Sequence, residues 1–479
     1  MARLDQMPFQ IDIQDLGYDG RGVARRPVAA PLRSAAPVRA DPAAAASDGG
    51  DGTPSVTPSA APADAGKTVF VADALAGERV VARLTARARR FDQAQALEVL
   101  RASPHRVEPR CPHFGVCSGC VLQHLEASQQ VVAKQRVLTD NLQRVGHVTP
   151  GEVLPPIVDA AWGYRRKGRF SVRRVEKKDK TLVGFRERDP RFVADLSVCH
   201  TVVPGIAALI PVLSALVDGL DARSDIPQIE FIAGDPTPDF GGIALVFRHL
   251  QPLSAGDRAT LVAFAQAHGI AVFLQPAGVE SVHALWPQDP PLAFRLAPWD
   301  VELRFRPLDF IQVNAGLNER MIERTLALLD VQPGDRVLDL FCGLGNFTLP
   351  LARRAREVVG VEGDIGLVAR ARDNARHNAI DNAHFHAADL TLDLSAQPWM
   401  ADGFDSLLLD PPRSGADQVL RQLPLDDLQR IVYVSCHPAS LARDAGYLVN
   451  ERGWRLVSAG VMDMFPQTAH VESIALFER

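Results

Sequence analysis

Cysteine is scarce in this chain, with six residues among 479. Small secreted domains that depend on disulfides are rich in cysteine, so that class of protein is excluded. The first residues, MARLDQMPFQ, also lack the basic segment and apolar run of a secretory signal peptide. We therefore expect a reducing, cytoplasmic setting, in which the cysteines are more readily metal ligands than disulfides.

Long apolar runs and a net positive charge are missing too. No stretch reaches the roughly 18 apolar residues that cross a bilayer, so we expect no membrane association. The formal net charge is −5, so any nucleic-acid binding must come from local basic patches. One such patch has twelve Lys or Arg against four Asp or Glu between Trp162 and Phe192. It predicts contacts with RNA phosphates, and the alternative is a solvated charged surface.

The length of the chain predicts several domains. Short strand-like segments on both sides of residues 27–67 predict a small β-barrel within residues 1–103. Residues 27–67 themselves are almost all Ala, Pro, Gly, Ser and Asp, which predicts a disordered insert. Residues 104–299 combine strands with helices, one of which has a capping box at Ser254 and a terminal Gly269.

Residues 300–479 show a regular alternation of short apolar strands and helical segments. RVLDLF, EVVGVEG, FDSLLLD and IVYVSC are examples of the strands. Such alternation is typical of a parallel, doubly wound sheet. Ligands of these sheets bind beyond the carboxyl ends of the strands.

The segment CPHFGVCSGC, residues 111–120, holds three of the six cysteines. One disulfide would leave a cysteine unpaired, and a metal centre needs a fourth ligand from elsewhere. A zinc ion and an iron–sulfur cluster both accept four thiolates, so the spacing leaves both open.

A glycine-rich turn in VLDLFCGLGNF, residues 337–347, predicts a cofactor site. Gly343 and Gly345 allow a ligand to approach the backbone, and Glu362 ends the next strand, where it can bind ribose hydroxyls. The spacing of a dinucleotide-binding fingerprint is missing, and Asp339 lies where a pyrophosphate would be repelled. S-adenosylmethionine (SAM) therefore fits better than a nucleotide, and a turn used only for packing is the third possibility.

Two further strands bring reactive side chains to the same edge. FDSLLLDPPRSG delivers Asp410, and IVYVSCHP delivers Cys436 in front of a predicted helix, whose N-terminus favours a thiolate. A cysteine nucleophile makes sense for methylation at C5 of a pyrimidine, because thiolate addition at C6 makes C5 nucleophilic. A base must then remove the C5 proton, and Glu472 in AHVESIALF is the candidate.

Taken in order, DFIQVN (309–314), DLFCGLGNF, DPPR, SCHP and HVES resemble the RNA uracil-C5 methyltransferases. The resemblance implies a multidomain protein: an N-terminal OB-like TRAM barrel, a central α/β domain with a four-cysteine [4Fe–4S] site, and a C-terminal Rossmann-like SAM-dependent domain. The fourth cluster ligand would be Cys199. The other three would be Cys111, Cys117 and Cys120.

The same resemblance implies roles for single residues. Cys436 would be the nucleophile and Glu472 the base. Six further residues would form the cofactor and methyl-transfer site: Gln312, Phe341, Asn346, Glu362, Asp389 and Asp410.

The function implied is 5-methyluridine formation in 23S ribosomal RNA through a covalent Cys–C6 adduct. The expected partner is this RNA, with no DNA, and the protein is expected to be a monomer. Three alternatives stay open: the specificity of cluster-bearing rRNA relatives that lack TRAM, a non-catalytic RNA-binding or assembly factor, and an NAD oxidoreductase.

Overall fold

The computed structural model describes residues 7–26 and 66–479. The chain forms two compact units, Met1–Pro104 and His105–Arg479. Residues 27–65 of the predicted disordered insert lie outside the described residues, so that prediction is not tested there. The predicted end of the insert at residue 67 is too late, because Lys67 already begins a strand, Lys67–Ala72.

The first unit contains one six-stranded sheet in the order β1-β5-β6-β4-β3-β2. Buried and solvent-facing residues alternate along its strands, so the inward side chains form a small apolar core. The OB-like barrel and its RNA-binding role remain predictions. Its strands are β1 Phe9–Asp12, β2 Asp15–Leu16, β3 Gly22–Arg26, β4 Lys67–Ala72, β5 Arg79–Arg87 and β6 Phe91–Arg101.

A second six-stranded sheet belongs to the other unit, in the order β13-β12-β11-β10-β8-β9. The predicted cap of α4 is confirmed: Ser254 Oγ accepts a hydrogen bond from the Asp257 N–H at 3.0 Å, and Gly269 has φ 61°. The elements of this region are α1 Ala127–Arg144, β7 Glu152–Val153, β8 Lys167–Val175, β9 Lys180–Gly184, α2 Pro204–Ala207, α3 Ile210–Asp218, β10 Gln228–Ala233, β11 Ile243–Arg248, α4 Ala255–His268, β12 Ala271–Gln275, β13 His283–Trp286, β14 Ala293–Leu296 and β15 Val301–Arg304.

The third large sheet has eight strands in the order β18-β17-β16-β19-β20-β22-β21-β7. Neighbouring strands from β18 to β20 are parallel, as predicted. The elements are α5 Ala315–Leu329, β16 Arg336–Leu340, α6 Thr348–Ala352, β17 Glu357–Glu362, α7 Ile365–His377, β18 Ala383–Ala387, β19 Ser406–Leu409, α8 Asp417–Leu420, β20 Arg430–Ser435, α9 Pro438–Gly446, β21 Arg455–Met462 and β22 Glu472–Glu478.

The prediction of an all-parallel sheet is wrong for its last strands. β22 runs antiparallel to both β20 and β21. Its first residues therefore lie at the edge where β20 ends, and Ser473 pairs with Ser435. This reversal brings Glu472 to the same edge as Cys436.

Helix α1 and strand β7 join the eight-stranded sheet although they precede the second sheet in sequence. β7 pairs in parallel with β21. α1 packs against α9 at a point where a Cβ on Gly146 would collide with the carbonyl oxygen of Ala442. The segment that follows the cysteine motif is thus attached directly to the helix after Cys436. Among the described residues, no helix is both long and apolar enough to cross a membrane.

Candidate active site

The glycine-rich turn after β16 is an open cradle. Phe341, Gly343 and Gly345 have φ values of 65°, 54° and 90°, so the backbone passes through the left-handed region three times. A Cβ built on Gly343 would have no other atom within 4 Å. The turn therefore leaves free space beside the backbone at the carboxyl end of β16.

Two acidic residues border this cradle. Glu362, the last residue of β17, accepts hydrogen bonds from the Gly343 N–H at 3.1 Å and the Asp364 N–H at 3.0 Å. Asp339 is fully buried and accepts a hydrogen bond from Thr348 Oγ1 at 2.5 Å. Burial, with repulsion from Asp410 and Glu362, raises the pKa of Asp339 to about 7. Its second oxygen has no hydrogen-bond partner among the described residues.

Three more predicted cofactor residues lie in loops at strand or helix ends. The side-chain amide of Asn346 exchanges two hydrogen bonds of 2.9 Å with that of Asn318. Asp389 is exposed, and hydrogen bonds from Thr391 lower its pKa. The carbonyl oxygen of Gln312 accepts a hydrogen bond from Arg166 Nε at 2.8 Å, and its side-chain amide has no partner in the described part of the chain.

Cys436, Asp410 and Glu472 come together at the edge formed by β19, β20 and β22. Each acid is close enough to raise the pKa of the Cys436 thiol, and Asp410 also raises that of Glu472. Within residues 7–26 and 66–479, neither carboxyl has a hydrogen-bond partner. The structure thus unites the three side chains that the sequence assigned to three separate strands, beside the glycine-rich turn.

Burial raises the pKa of all three groups. It raises the pKa of Glu472 to about 8, and Arg413 and Lys134 oppose that rise. It raises the pKa of Asp410 to about 7. Both acids can therefore hold or release a proton near neutral pH, which suits general acid–base chemistry.

The Cys436 thiol is less acidic than the sequence led us to expect. Burial and the two acids raise its pKa to about 11, although α9 begins two residues later. Arg413 opposes the rise through its positive charge.

Two site residues were missed at the sequence level. Arg413, in DPPR, has no role that its motif predicts, yet its Nη2 lies 3.2 Å from Nδ1 of His470. This contact links the loop after β19 to the loop before β22. His437 has a structural role, since its Nδ1 accepts a hydrogen bond from the Ser440 N–H at 3.3 Å and caps α9. The motifs DPPR and HVES gave no indication that Arg413 and His470 are in contact.

Several basic side chains between Trp162 and Phe192 bind other parts of the protein, which the sequence did not predict. Arg166 is buried and binds the Gln312 carbonyl, while Lys167 Nζ donates to the Pro307 carbonyl at 3.1 Å and also to that of Asp309. These two side chains hold the DFIQVN loop. Other members of the stretch form ion pairs with nearby acids: Arg169, Arg174, Lys180 and Arg191. The positive charge left for RNA is therefore smaller than the composition suggested.

The four candidate metal-ligand cysteines form one group of neighbouring thiols. None is in a disulfide, and all four are partly buried. Burial, reinforced by the charges of the neighbouring cysteines, raises the pKa of Cys117 to about 11 and of Cys120 to about 12. In the described ranges, no group of three or more His, Cys, Asp or Glu side chains could hold a metal ion. The cluster therefore remains a prediction.

The cysteine segment is attached to the loop that leads to Glu472. The N–H groups of Val121 and Leu122 both donate to the Gln467 carbonyl at 3.0 Å. His113 ties the segment to the Cys199 region, since its Nε2 accepts a hydrogen bond from the Ser197 N–H at 3.1 Å. Backbone hydrogen bonds thus connect the end of the cysteine segment to the loop that precedes Glu472.

Comparisons with known proteins point to one family. The sequence model of a family described as tRNA (Uracil-5-)-methyltransferase matches residues 294–479. A Xanthomonas campestris protein described as 23S rRNA (uracil(1939)-C(5))-methyltransferase RlmD is 66% identical over 477 residues, covering 100% of this chain and 98% of that protein. A Stenotrophomonas maltophilia protein with the same description is 62% identical, covering 100% and 99%.

The fold is similar to a solved crystal structure. This is the tRNA (uracil-54, C5)-methyltransferase of Pyrococcus abyssi in complex with S-adenosyl-L-homocysteine, with a TM-score of 0.69 and 22% identity. The match covers 98% of this chain and 99% of that one. The likeness concerns the fold, a Rossmann-like methyltransferase fold in a multidomain chain.

Proposed function

The chain belongs to the RlmD family of 23S rRNA uracil-C5 methyltransferases, and from this premise we propose that it transfers a methyl group from SAM to C5 of a uracil in 23S ribosomal RNA. The observation that carries the proposal is the meeting of Cys436, Asp410 and Glu472 beside the glycine-rich turn. A nucleophile and a carboxylate base on one edge are what methylation at a pyrimidine C5 requires.

The proposed chemistry uses Cys436 and Glu472 in turn. The Cys436 thiol gives its proton to solvent, the resulting thiolate adds to C6 of the uracil, and the electron pair of the C5–C6 bond becomes available at C5. SAM, when bound, supplies an electrophilic methyl group. After C5 has been methylated, Glu472 removes the C5 proton, the C5–C6 double bond re-forms, and Cys436 leaves as a thiolate. Arg413 assists by stabilising the thiolate.

The residues present fit SAM. The open cradle at Gly343 accepts a ligand against the backbone, and Glu362 is held by two backbone N–H groups with lone pairs left for ribose hydroxyls. Within the described residues, the buried second oxygen of Asp339 has no hydrogen-bond partner, and a ligand can satisfy it. Gln312 would contribute its side-chain amide. Phe341, Asn346 and Asp389 would complete the site.

The four cysteines fit a [4Fe–4S] cluster by donor chemistry, and we propose Cys111, Cys117, Cys120 and Cys199 as its ligands. Four neighbouring, partly buried thiols outside any disulfide can supply four thiolate ligands, because bound iron favours the deprotonated form of each thiol. A zinc ion, which also accepts four thiolates, is the alternative that metal analysis distinguishes from a cluster. A cluster spreads its ligands over several iron atoms.

The proposed RNA partner rests on the family. A uracil in folded RNA must leave its stack before C6 can reach Cys436. Phe310, 68% exposed beside Gln312, offers an aromatic surface to a displaced base. We propose a cytoplasmic monomer that acts on ribosomal RNA, with the first unit, as a TRAM domain, helping to hold the unfolded loop.

The decisive experiment is to map 5-methyluridine in 23S ribosomal RNA from a deletion strain. Complementation with the wild-type gene should restore one lost modification, and Cys436→Ala should not restore it while the purified variant still binds SAM. Glu472→Gln should accumulate a denaturant-resistant protein–RNA adduct. A complete modification pattern in the deletion strain would refute the proposed substrate, and full activity of Cys436→Ala would refute the covalent mechanism.

A further inference from the structure

A buried ion pair lies behind the proposed base. Lys134, on α1, places Nζ 2.6 Å from Asp463 Oδ1 and 3.0 Å from the Phe465 carbonyl oxygen. The side chains of Lys134 and Asp463 are only 2% and 10% exposed. Lys134 belongs to the segment that follows the cysteine motif, far in sequence from the catalytic strands.

The pair sits at the end of the sheet that carries Glu472. Asp463 directly follows Met462, and Met462 is the residue that faces Glu472 across β21 and β22. One turn earlier on α1, Gln130 fixes the same loop, because it exchanges hydrogen bonds of 3.0 and 2.9 Å with Gln467. Lys134 and Gln130, on one face of α1, therefore bind the loop 463–471 at two points.

Burial of this pair is not explained by stability alone. Taking two charges out of water costs several kcal/mol per ion, and an apolar pair of similar volume is often as stable. The charge of Lys134 does act on the base, since it opposes the rise in the pKa of Glu472. The remaining charged or titratable groups around Glu472 come from other elements: Asp410, Arg413, Cys436 and His470.

We propose that Lys134 is a positioning residue for Glu472: paired with Asp463, it holds the loop before β22 in place and keeps one positive charge beside the base. This inference rests on the proposed function of Glu472. It assigns to α1 a part in the proton-removal step, in addition to its packing against α9.

The test measures release of methylated RNA from the protein–RNA adduct as a function of pH. The adduct is formed by mixing enzyme, SAM and a transcribed 23S ribosomal RNA fragment, and is followed as a denaturant-resistant band. Lys134→Met removes the positive charge, so the pH of half-maximal release should rise by about one unit. Asp463→Asn removes the negative charge and leaves Glu472 as the nearest acid to Lys134, so the same midpoint should fall.

Arg144→Met, which removes an exposed positive charge from the same helix, is the matched control and should keep the wild-type midpoint. Opposite shifts in the two variants support the proposal, whereas equal midpoints with lower amplitudes indicate a purely structural role and overturn it. If Lys134→Met does not fold, an unshifted midpoint in Asp463→Asn overturns it. Absence of any adduct in the wild type and in Glu472→Gln would instead refute the proposed function.

Discussion

At the scale of single residues, the site is a set of ionisable groups whose pKa values are all raised. Burial is the largest cause for Cys436, Asp410 and Glu472 alike. Removing a charged group from water disfavours its ionised form, so acids and thiols in one enclosed place hold their protons. Catalysis with these groups then depends on cations such as Arg413 and on what binds beside them.

The raised pKa of Glu472 has a consequence for stability. The pKa of Glu472 is about 8 in the folded protein, while its ordinary value is 4.5. Between these pH values the unfolded chain loses the proton and the folded protein keeps it, so the free energy of unfolding falls as pH rises. Glu472→Gln removes this penalty. Its melting temperature should exceed that of the wild type by about 2 °C at pH 8 and match it at pH 4.5.

Asp389→Asn provides a control of opposite sign. Hydrogen bonds from Thr391 lower the pKa of Asp389, so its ionised form stabilises the fold above its ordinary value of 3.8. The variant should be less stable than the wild type at pH 8. Thermal scans of both variants across pH 4–9 measure the two effects. A difference in melting temperature between Glu472→Gln and the wild type that does not change with pH would contradict the raised pKa of Glu472.

Arg413 should control the reactivity of the Cys436 thiol. Its positive charge is the one that lowers the pKa of the Cys436 thiol, so Arg413→Gln should raise that pKa and slow alkylation by iodoacetamide. We expect a decrease of about tenfold at pH 8. Mass spectrometry of the Cys436 peptide measures the rate. An unchanged alkylation rate would show that Arg413 does not affect the pKa of the Cys436 thiol.

At the scale of elements, the direction of β22 and the placement of α1 decide the site. A parallel β22 would carry Glu472 to the opposite end of the sheet from Cys436. Antiparallel pairing with β20 and β21 avoids this. α1 then supports both sides, since it packs against α9 and binds the loop before β22.

The contact between α1 and α9 requires a residue without a side chain. A Cβ at Gly146 would overlap the Ala442 carbonyl oxygen, and a Cβ at Gly446 would lie 2.8 Å from the Gly146 carbonyl oxygen. Gly146→Ala should therefore lower the free energy of unfolding by about 1–3 kcal/mol. Gly334→Ala is the control, because no atom lies within 4 Å of its Cβ. Urea unfolding measures both, and equal stabilities would contradict the close approach.

At the scale of the whole molecule, the chain uses its middle segments to support the carboxyl-terminal sheet. The cysteine segment, α1 and the first basic residues all contact loops of the eight-stranded sheet. A cluster would join Cys120 to Cys199, which lie 79 positions apart in the sequence. Its expected role is that of a structural tie, as a redox role has no motivation in the residues.

Removal of one ligand should remove the metal. Anaerobically purified wild type should be brown and contain iron and sulfide, whereas Cys199→Ser should lose both and melt at a lower temperature, because its remaining thiols cannot complete the set. Cys342→Ser, outside the set, is the matched control and should keep its iron. Metal analysis decides the matter: zinc in the wild type, or no metal at all, would contradict the cluster.

The sequence by itself determined much of this protein. Alternating strands and helices gave the doubly wound sheet, the Ser254 cap was confirmed, and the order of motifs identified the family, because these signals are local. Only the tertiary structure decided the antiparallel β22, the high pKa of Cys436, the internal use of Arg166 and Lys167, and the contact of Lys134 with Asp463. Each of these depends on which distant segments come into contact and on how strongly that contact buries the side chains. The spacing of neighbouring residues predicts neither.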